Sequence, residues 1–494
     1  SRYTPSSTLQ RMELLKTGYM GTLSLGWDNY LFLELTGRQE RSSTLKDQSF
    51  FYPSANLSFL FTQAFHMPSW WNYGKLRLSY GIVGNAPETY TANIVYEQGS
   101  DNGFTWNTIP SSWGNADIHP EKKYEYEIGL ESKFLNNRLG IDISYYNNRV
   151  KDQILSTPQP STSGVKNVLM NVGEVANRGW DISISATPIL TRDFRWDLTA
   201  NYGVYKNKVV KLADGVPYLE ILNSGGSGIK IQAVEGQPMG DIYAQVPQVN
   251  ENGEYLVSDK GLYLNQTELQ KVGNINPAGV GGLFNSFSYK NVFLDFSIDF
   301  RIGGDVINEM NQYATAVGLT PESLKYRDTE HGGLSYYYPG DNNSSGIPVQ
   351  VDPSTGAGPN GEIIYHDGII LPGVVASTGE RNTRIIPAGY YYNTTYNWGT
   401  EAEQLTYRHS VFDNSYVKLR ELTIGYQFPE KMISKLGLGR LSVSVFGRNL
   451  FYFYKALKNY DAESSVGTSW ANQATVGSST TATRSFGVSL RASF

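Results

Sequence analysis

The stretch EKKYEYEIGLESKFLNNRLGIDISYYNNRV, residues 121–150, decides the fold. In its first half Tyr124, Tyr126, Ile128 and Leu130 fall on one face, and Glu125, Glu127, Gly129 and Glu131 on the other. After Leu135-Asn136-Asn137 the pattern resumes, with Ile141, Ile143 and Tyr145 set against Asp142 and Ser144. A period of two residues is the signature of a strand, and a short polar break between two such runs is a hairpin turn.

Working outward, the same alternation recurs. Trp180, Ile182 and Ile184 oppose Asp181, Ser183 and Ser185; Phe194, Trp196, Leu198 and Tyr202 oppose Arg195, Asp197, Thr199 and Asn201; Leu294, Phe296, Ile298 and Phe300 oppose Asp295, Asp299 and Arg301. A face carrying two carboxylates and a guanidinium is no dry core. In all, thirteen strands are predicted, at 17–26, 29–38, 51–63, 74–83, 121–134, 138–151, 177–189, 193–206, 279–289, 292–302, 414–428, 439–453 and 484–494.

The composition agrees. Only 18% of the 494 residues are charged, while Gly (50), Tyr (35) and Trp (9) are plentiful, a mixture suited to strands and turns. The absence of cysteine excludes disulfides, thiolate metal sites and cysteine nucleophiles. A net charge of −5 with no basic stripe speaks against a nucleic-acid partner. No apolar run approaches the roughly 18 residues of a membrane-spanning helix, and the first residues lack the pattern of a signal peptide. A β-barrel stays open, because its strands need only about 9–11 residues each.

The connections decide between a soluble sandwich and a barrel. They alternate short and long, the long ones falling at 84–120, 152–176, 207–278, 303–413 and 454–483. Outer-membrane barrels pair short periplasmic turns with long extracellular loops, and lipid outside with water inside explains both faces of every strand. The expected fold is therefore all-β, a transmembrane antiparallel up-and-down β-barrel of the bacterial outer membrane. Because such barrels have an even strand number with both ends periplasmic, an odd count that starts outside makes residues 1–494 the expected C-terminal portion of a larger barrel. In the last stretch, TRSFGVSLRASF, Phe486, Val488, Leu490, Ala492 and Phe494 form the expected lipid face of a closing strand. Phe494 is expected to be a true terminus, and Ser1 not a true beginning.

Several segments resemble one family. KLRLSYGIVGN (75–85), NVGEVANRGWDISI (171–184), EGQPMGDIYA (235–244), GNINPAGVGGLFNSFSYKN (273–291), SYVKLRELTIGYQFP (415–429) and VFGRNLFYFYK (445–455) are similar to the barrel of SusC/RagA-type TonB-dependent outer-membrane transporters of Bacteroidetes. The resemblance implies a 22-stranded barrel, an N-terminal plug and a TonB box, none of them in these residues, and a SusD-like surface lipoprotein as partner. It implies active import of oligosaccharides or oligopeptides, with a dimer of transporter–lipoprotein pairs as a further expectation. One departure is NYDAESS (459–465), where Ala462 stands in place of the family's proline. The rival readings are a passive porin-like channel or adhesin, and a soluble all-β carbohydrate-binding protein.

Catalysis finds no support. The five histidines are scattered, no Gly-x-Ser-x-Gly elbow follows a strand, and the glycine clusters at 224–228 and 279–282 lack the lysine of a phosphate loop. No cofactor is expected, apart from a structural calcium ion at 340–346 or 351–361, which compete with ordinary polar turns. Trp106, Trp113, Tyr390, Tyr391, Tyr392, Tyr396 and Trp398 fall in predicted outer loops, where they either stack on substrate or pack the loops and the membrane interface. Glu125, Glu127, Asp197, Asp295, Asp299, Arg301, Arg420 and Arg448 are expected to face the lumen and brace a plug.

Overall fold

The structure is a computed structural model. It describes residues 12–493 apart from 47–48, 102–103, 160, 225–227, 341–345, 353–355, 357, 398–405, 465–468 and 478–481. Trp398, Phe494 and, of the two calcium-loop candidates, residues 341–345, 353–355 and 357 lie outside the described residues.

Thirteen strands form one antiparallel sheet in which each pairs with its neighbour in sequence. They are β1 (Lys16–Trp27), β2 (Leu31–Ser42), β3 (Ser49–Phe59), β4 (Trp71–Asn85), β5 (Glu121–Phe134), β6 (Leu139–Lys151), β7 (Glu174–Leu190), β8 (Phe194–Lys211), β9 (Gly279–Tyr289), β10 (Val292–Ile302), β11 (Tyr416–Gln427), β12 (Arg440–Lys455) and β13 (Ser485–Ser493). The third strand stops at Phe59 and not at residue 63, because Phe61–Ala64 turns into a helix. The Phe61 ring then lies directly over Gly74, where a Cβ would collide with it, and packs edge-on against Trp71. β8 runs five residues beyond its predicted end, to Lys211.

Register turns the alternation into continuous rows. Leu25, Leu33, Leu57, Leu78, Ile128, Tyr145, Trp180 and Val204 are successive cross-strand partners over eight strands. Ile189, Trp196, Phe287, Leu294, Ile424, Val445 and Val488 continue the same face to the last strand. None of these side chains is buried, and several are largely exposed, as at Ile128 (46%), Trp180 (47%) and Val488 (71%), so the rows carry no protein layer over them. Roughly 30 Å of β7 separates Trp180 from Ile189. At the usual tilt of such strands that spans the about 25 Å apolar band of an outer-membrane barrel.

Because every connection returns to the neighbouring strand, turns and loops segregate. Asp28–Tyr30, Leu135–Arg138 and Lys290–Asn291 join strands at one end, with Asp28, Asn29, Asn136 and Asn137 in the left-handed conformation that tight turns need. The long connections stand at the other end, and they are folded. A four-stranded sheet of Tyr218–Ser224, Ile229–Val234, Asp241–Ala244 and Gln270–Asn274 is joined by a second around Leu334–Tyr337 and Tyr365–Ile369. Ile229, Ile231 and Ile242 from one loop, Ile307, Tyr407 and Val411 from the next, and Ala471 and Ala474 from the last share a single core. These three loops are thus one head.

The two faces of β7 give a direct test. Ile184→Arg, in the lipid-facing row, should cost about 2–4 kcal/mol in the bilayer. Ser183→Arg, on the opposite face and bordering a cavity, should cost much less. Denaturant titration of the refolded receptor, read on heat-modifiable gel migration, checks the difference.

Candidate functional site

The most highly organised polar structure on the inner face grows from a break in strand register. Between β11 and β12 the pairing shifts after Leu419, and Glu421 resumes it against Arg448. Here Arg420 faces two residues of β12, Asn449 and Leu450, and Asn449 has a φ of 53°, which suits asparagine better than most side chains; against β10, where Ser297 pairs with Glu421 and Ile298 with Leu419, Arg420 is itself the extra residue. Arg420 donates to the Asn449 side-chain carbonyl at 3.0 Å, to Asp299 at 2.5 Å and to Glu463 through two nitrogens, at 2.9 and 2.5 Å. Lys418, only 2% exposed at its side chain, donates to the same Glu463 carboxylate at 2.5 Å. Tyr452 donates to Asp461 at 2.5 Å, and the Asn414 amide donates to the Ala462 carbonyl at 2.9 Å. The NYDAESS loop is therefore clamped to the wall, and Ala462 fits the clamp through its backbone. Burial alone would raise the Glu463 carboxyl, but Arg420 and Lys418 outweigh it and hold it at about 2.

Beside this clamp the inner face opens a cavity of about 550 Å³ bordered by Arg77, Asp142, Ser144, Asp181, Asn201 and Asp299. Arg77 bridges Asp142 at 2.5 Å and Glu131 at 3.6 Å. A ladder of Glu125, Asn148, Asn177 and Asn207 crosses four strands above it, with Asn148 donating to Glu125 and Asn177 to Asn148. This surface is dense in paired charges and amides, and suits polar contacts.

The remaining lumen candidates are likewise engaged within the wall. Glu125 also meets Lys123 at 2.6 Å, Asp197 is held by Arg195 and Thr187, Asp295 accepts from Ser286, and Arg448 meets Glu421 at 3.1 Å. Arg301 donates to the Ile275 and Gly303 carbonyls. Glu127 lies on the same face, in register with Ser79 and Tyr146.

In the head, two recognised segments dock on each other. Asn274 of GNINP donates to Asp241 of EGQPMGDIYA at 2.6 Å, Asn276 donates to the Met239 carbonyl at 2.6 Å, and the Asn274 N–H reaches Asp305 at 2.9 Å. Among the aromatic candidates, Tyr391, Tyr392 and Tyr396 share helix Ala388–Tyr396 and touch one another, with ring centres 5.1–6.2 Å apart. Tyr390 and Tyr391 pack on the core of Leu262, Ile369, Leu371 and Ile386. Burial pushes the Tyr392 and Tyr396 phenols up to about 12. His409 lies flat on Tyr396 at 4.3 Å, and burial, helped by Arg408, lowers its imidazole to about 4. These tyrosines build the head. Trp106 is different: it stands 44% exposed on a hairpin with Phe104, and Trp113 meets Tyr96 edge-on at 5.9 Å. Among the described residues no cluster of three or more His, Cys, Asp or Glu suits a metal ion.

The family described as TonB dependent receptor-like, beta-barrel matches residues 3–242. TonB-dependent receptor P3 of Formosa agariphila is 24% identical over 91% of this chain and 42% of its own length. TonB-dependent receptor SusC of Bacteroides thetaiotaomicron is 30% identical over 46% of this chain and 24% of its own. Among solved structures, the RagAB peptide transporter aligns over 89% of this chain and 44% of that one, with a TM-score of 0.63 at 18% identity. Thirteen antiparallel strands with a lipid-facing row, taken with these matches, define the chain as a β-barrel of the TonB-dependent receptor class, in the outer membrane. The matches to SusC and to the Formosa receptor agree with the SusC/RagA-type likeness of its motifs. The chain spans about two-fifths, or less, of the length of these curated relatives.

Two outcomes follow from the clamp and the head. Glu463→Gln leaves Lys418 buried without its carboxylate, a change of the kind that costs about 3–5 kcal/mol at a fully buried pair and somewhat less here, where Glu463 is 28% exposed. Hydrogen exchange should show residues 456–464 losing protection while β1–β9 keep theirs. For His409, the folded pKa lies below the ordinary value, so its contribution is full above about pH 6.5 and is lost as pH falls toward 4. Loop proteolysis of the wild type should rise across that window, and His409→Gln should flatten the rise.

Proposed function

We propose that this chain forms part of the wall and the outer vestibule of a nutrient importer, with the long-loop end facing outward. The reading is that oligosaccharides or oligopeptides are captured outside, enclosed by a SusD-like lipoprotein, and admitted when TonB acts on a plug. The plug and the remaining strands belong to other parts of the receptor. No covalent change in the cargo is involved, and receptor and lipoprotein work as pairs that associate further into dimers.

The observation that carries this reading is the head. Three loops with a common core stand at one end of a wall whose inner face is polar and charged, which gives a rigid, wet vestibule and a firm platform for a lid. Passive porins need neither. The kinship with SusC, and with a RagAB structure described as a peptide transporter, supports both cargo classes. Bracing of a plug falls to the inner-face charges, most of which are already paired and therefore held in place.

Uptake by cells is the test. Deleting the gene of the partner lipoprotein, or TonB, should abolish accumulation of labelled oligosaccharide or oligopeptide supplied at micromolar concentration. Uptake that survives both deletions would identify a passive channel.

A further inference from the structure

The outward face of β6, β7 and β8 carries cations that neither the wall nor the vestibule uses. Two residues beyond the Tyr145 and Trp180 row, toward the long-loop end, Asn147, Arg178 and Lys206 are cross-strand partners; two further on come Arg149, Ala176 and Lys208. By alternation these positions share the lipid-facing side with Trp180, about 7 and 14 Å beyond its row. Arg178 stands directly opposite Lys206, an unfavourable arrangement for like charges. Arg149 is taken by Glu174 at 3.0 Å, but among the described residues Arg178, Lys206 and Lys208 have no carboxylate in ion-pair range.

The wall is also indented here. β9 pairs with β8 only as far as Gly203, so the edge of Val204–Lys208 away from β7 has no strand beside it until Val209 meets Gln237. The notch forms a cavity of about 930 Å³ bordered by Arg149, Arg178, Lys206, Lys208 and the Lys271–Asp241 pair. Next to it lies a smaller cavity of about 240 Å³ lined by Tyr80, Tyr124 and Tyr126.

We propose that this patch is a binding site for the phosphorylated headgroup of an anionic glycolipid in the outer leaflet. A phosphate between Arg178 and Lys206 relieves their mutual repulsion, and Lys208 adds a third contact. The tyrosine-lined cleft offers flat faces for a sugar ring, and the acyl chains continue down the row of Tyr145 and Trp180. That continuity favours a membrane lipid over a soluble anion, and the outward face favours it over transported cargo. The proposal rests on the long-loop end facing outward.

The intact receptor, purified and placed in phosphatidylethanolamine nanodiscs containing a bisphosphorylated lipid A or its dephosphorylated form, provides the test by native mass spectrometry. The wild type should retain the phosphorylated lipid selectively. The triple variant R178Q/K206Q/K208Q should lose retention on the order of 100-fold, as expected for three cation contacts with an anionic surface, while keeping normal heat-modifiable migration. Equal retention of both lipids, full retention by the variant, or complete displacement by millimolar inorganic phosphate would each overturn the site. Orientation is read separately, by protease cleavage of the hairpin around Phe104 on intact cells, and TonB-dependent uptake by the variant should match the wild type. A failed lipid site is thereby distinguished from a failed import reading.

Discussion

Hydrocarbon offers a peptide group no water, so each backbone donor and acceptor in the membrane must pair within the protein. Nearly everything in this chain follows from that constraint. It requires strands to pair side by side and fixes their register, and register then decides which side chains meet lipid. A slip of one residue on β7 would turn Trp180 and Ile184 inward and send Asp181 and Ser183 into the bilayer. The unbroken rows from Leu25 to Val204 and from Ile189 to Val488 record a register kept across the whole sheet.

Inside the band the ladder bulges between Ala186 and Ile189 of β7, and two larger departures from regularity serve a purpose. The bulge at Arg420 sacrifices one pairing step and gains a side chain that joins β10, β11, β12 and the 456–484 loop in one network. A guanidinium is suited to this junction because its several N–H groups fan out in a plane and serve three partners at once. The early end of the β8–β9 pairing makes a notch in the wall, and the loops that fill part of it are those that carry the shared core of the head. Both irregularities lie on the side of the sheet where water is available to tolerate them.

The wall was legible because period two survives in single strands: six of the thirteen strands match their predicted bounds to within one residue at both ends without any knowledge of tertiary contacts, including Glu121–Phe134 and Val292–Ile302. The errors have local causes. Residues 60–63 read as strand because Leu60 and Phe61 are apolar, yet Phe61 is apolar in order to cover Gly74. The head was not legible, since its core draws single residues such as Ile231, Tyr407 and Ala474 from segments far apart in sequence, and no local pattern announces such a partnership. The same limit explains the tyrosines: PAGYYYNTTYNWG reads equally well as a sugar platform or as the buried side of a helix, and only the position of Leu262 and Ile369 brings Tyr390 and Tyr391 into a core. Glu463, Lys418 and Asn449 escaped notice as a cluster, although Lys418 and Asn449 lie in segments whose likeness to the family is plain, and Glu463 follows Ala462 in the loop read as a departure.

That likeness has a physical content which composition conceals. Lys418 and Arg420 come from KLREL, Asn449 from GRNL, and Glu463 from the loop after it, and these three segments meet at one carboxylate. Asn274 and Asp241 join two further segments in the same way. These segments are thus contact points at which loops are fastened to the wall and to one another. The hairpin bearing Phe104 and Trp106, in a separate loop, keeps both rings exposed and takes no part in these bonds.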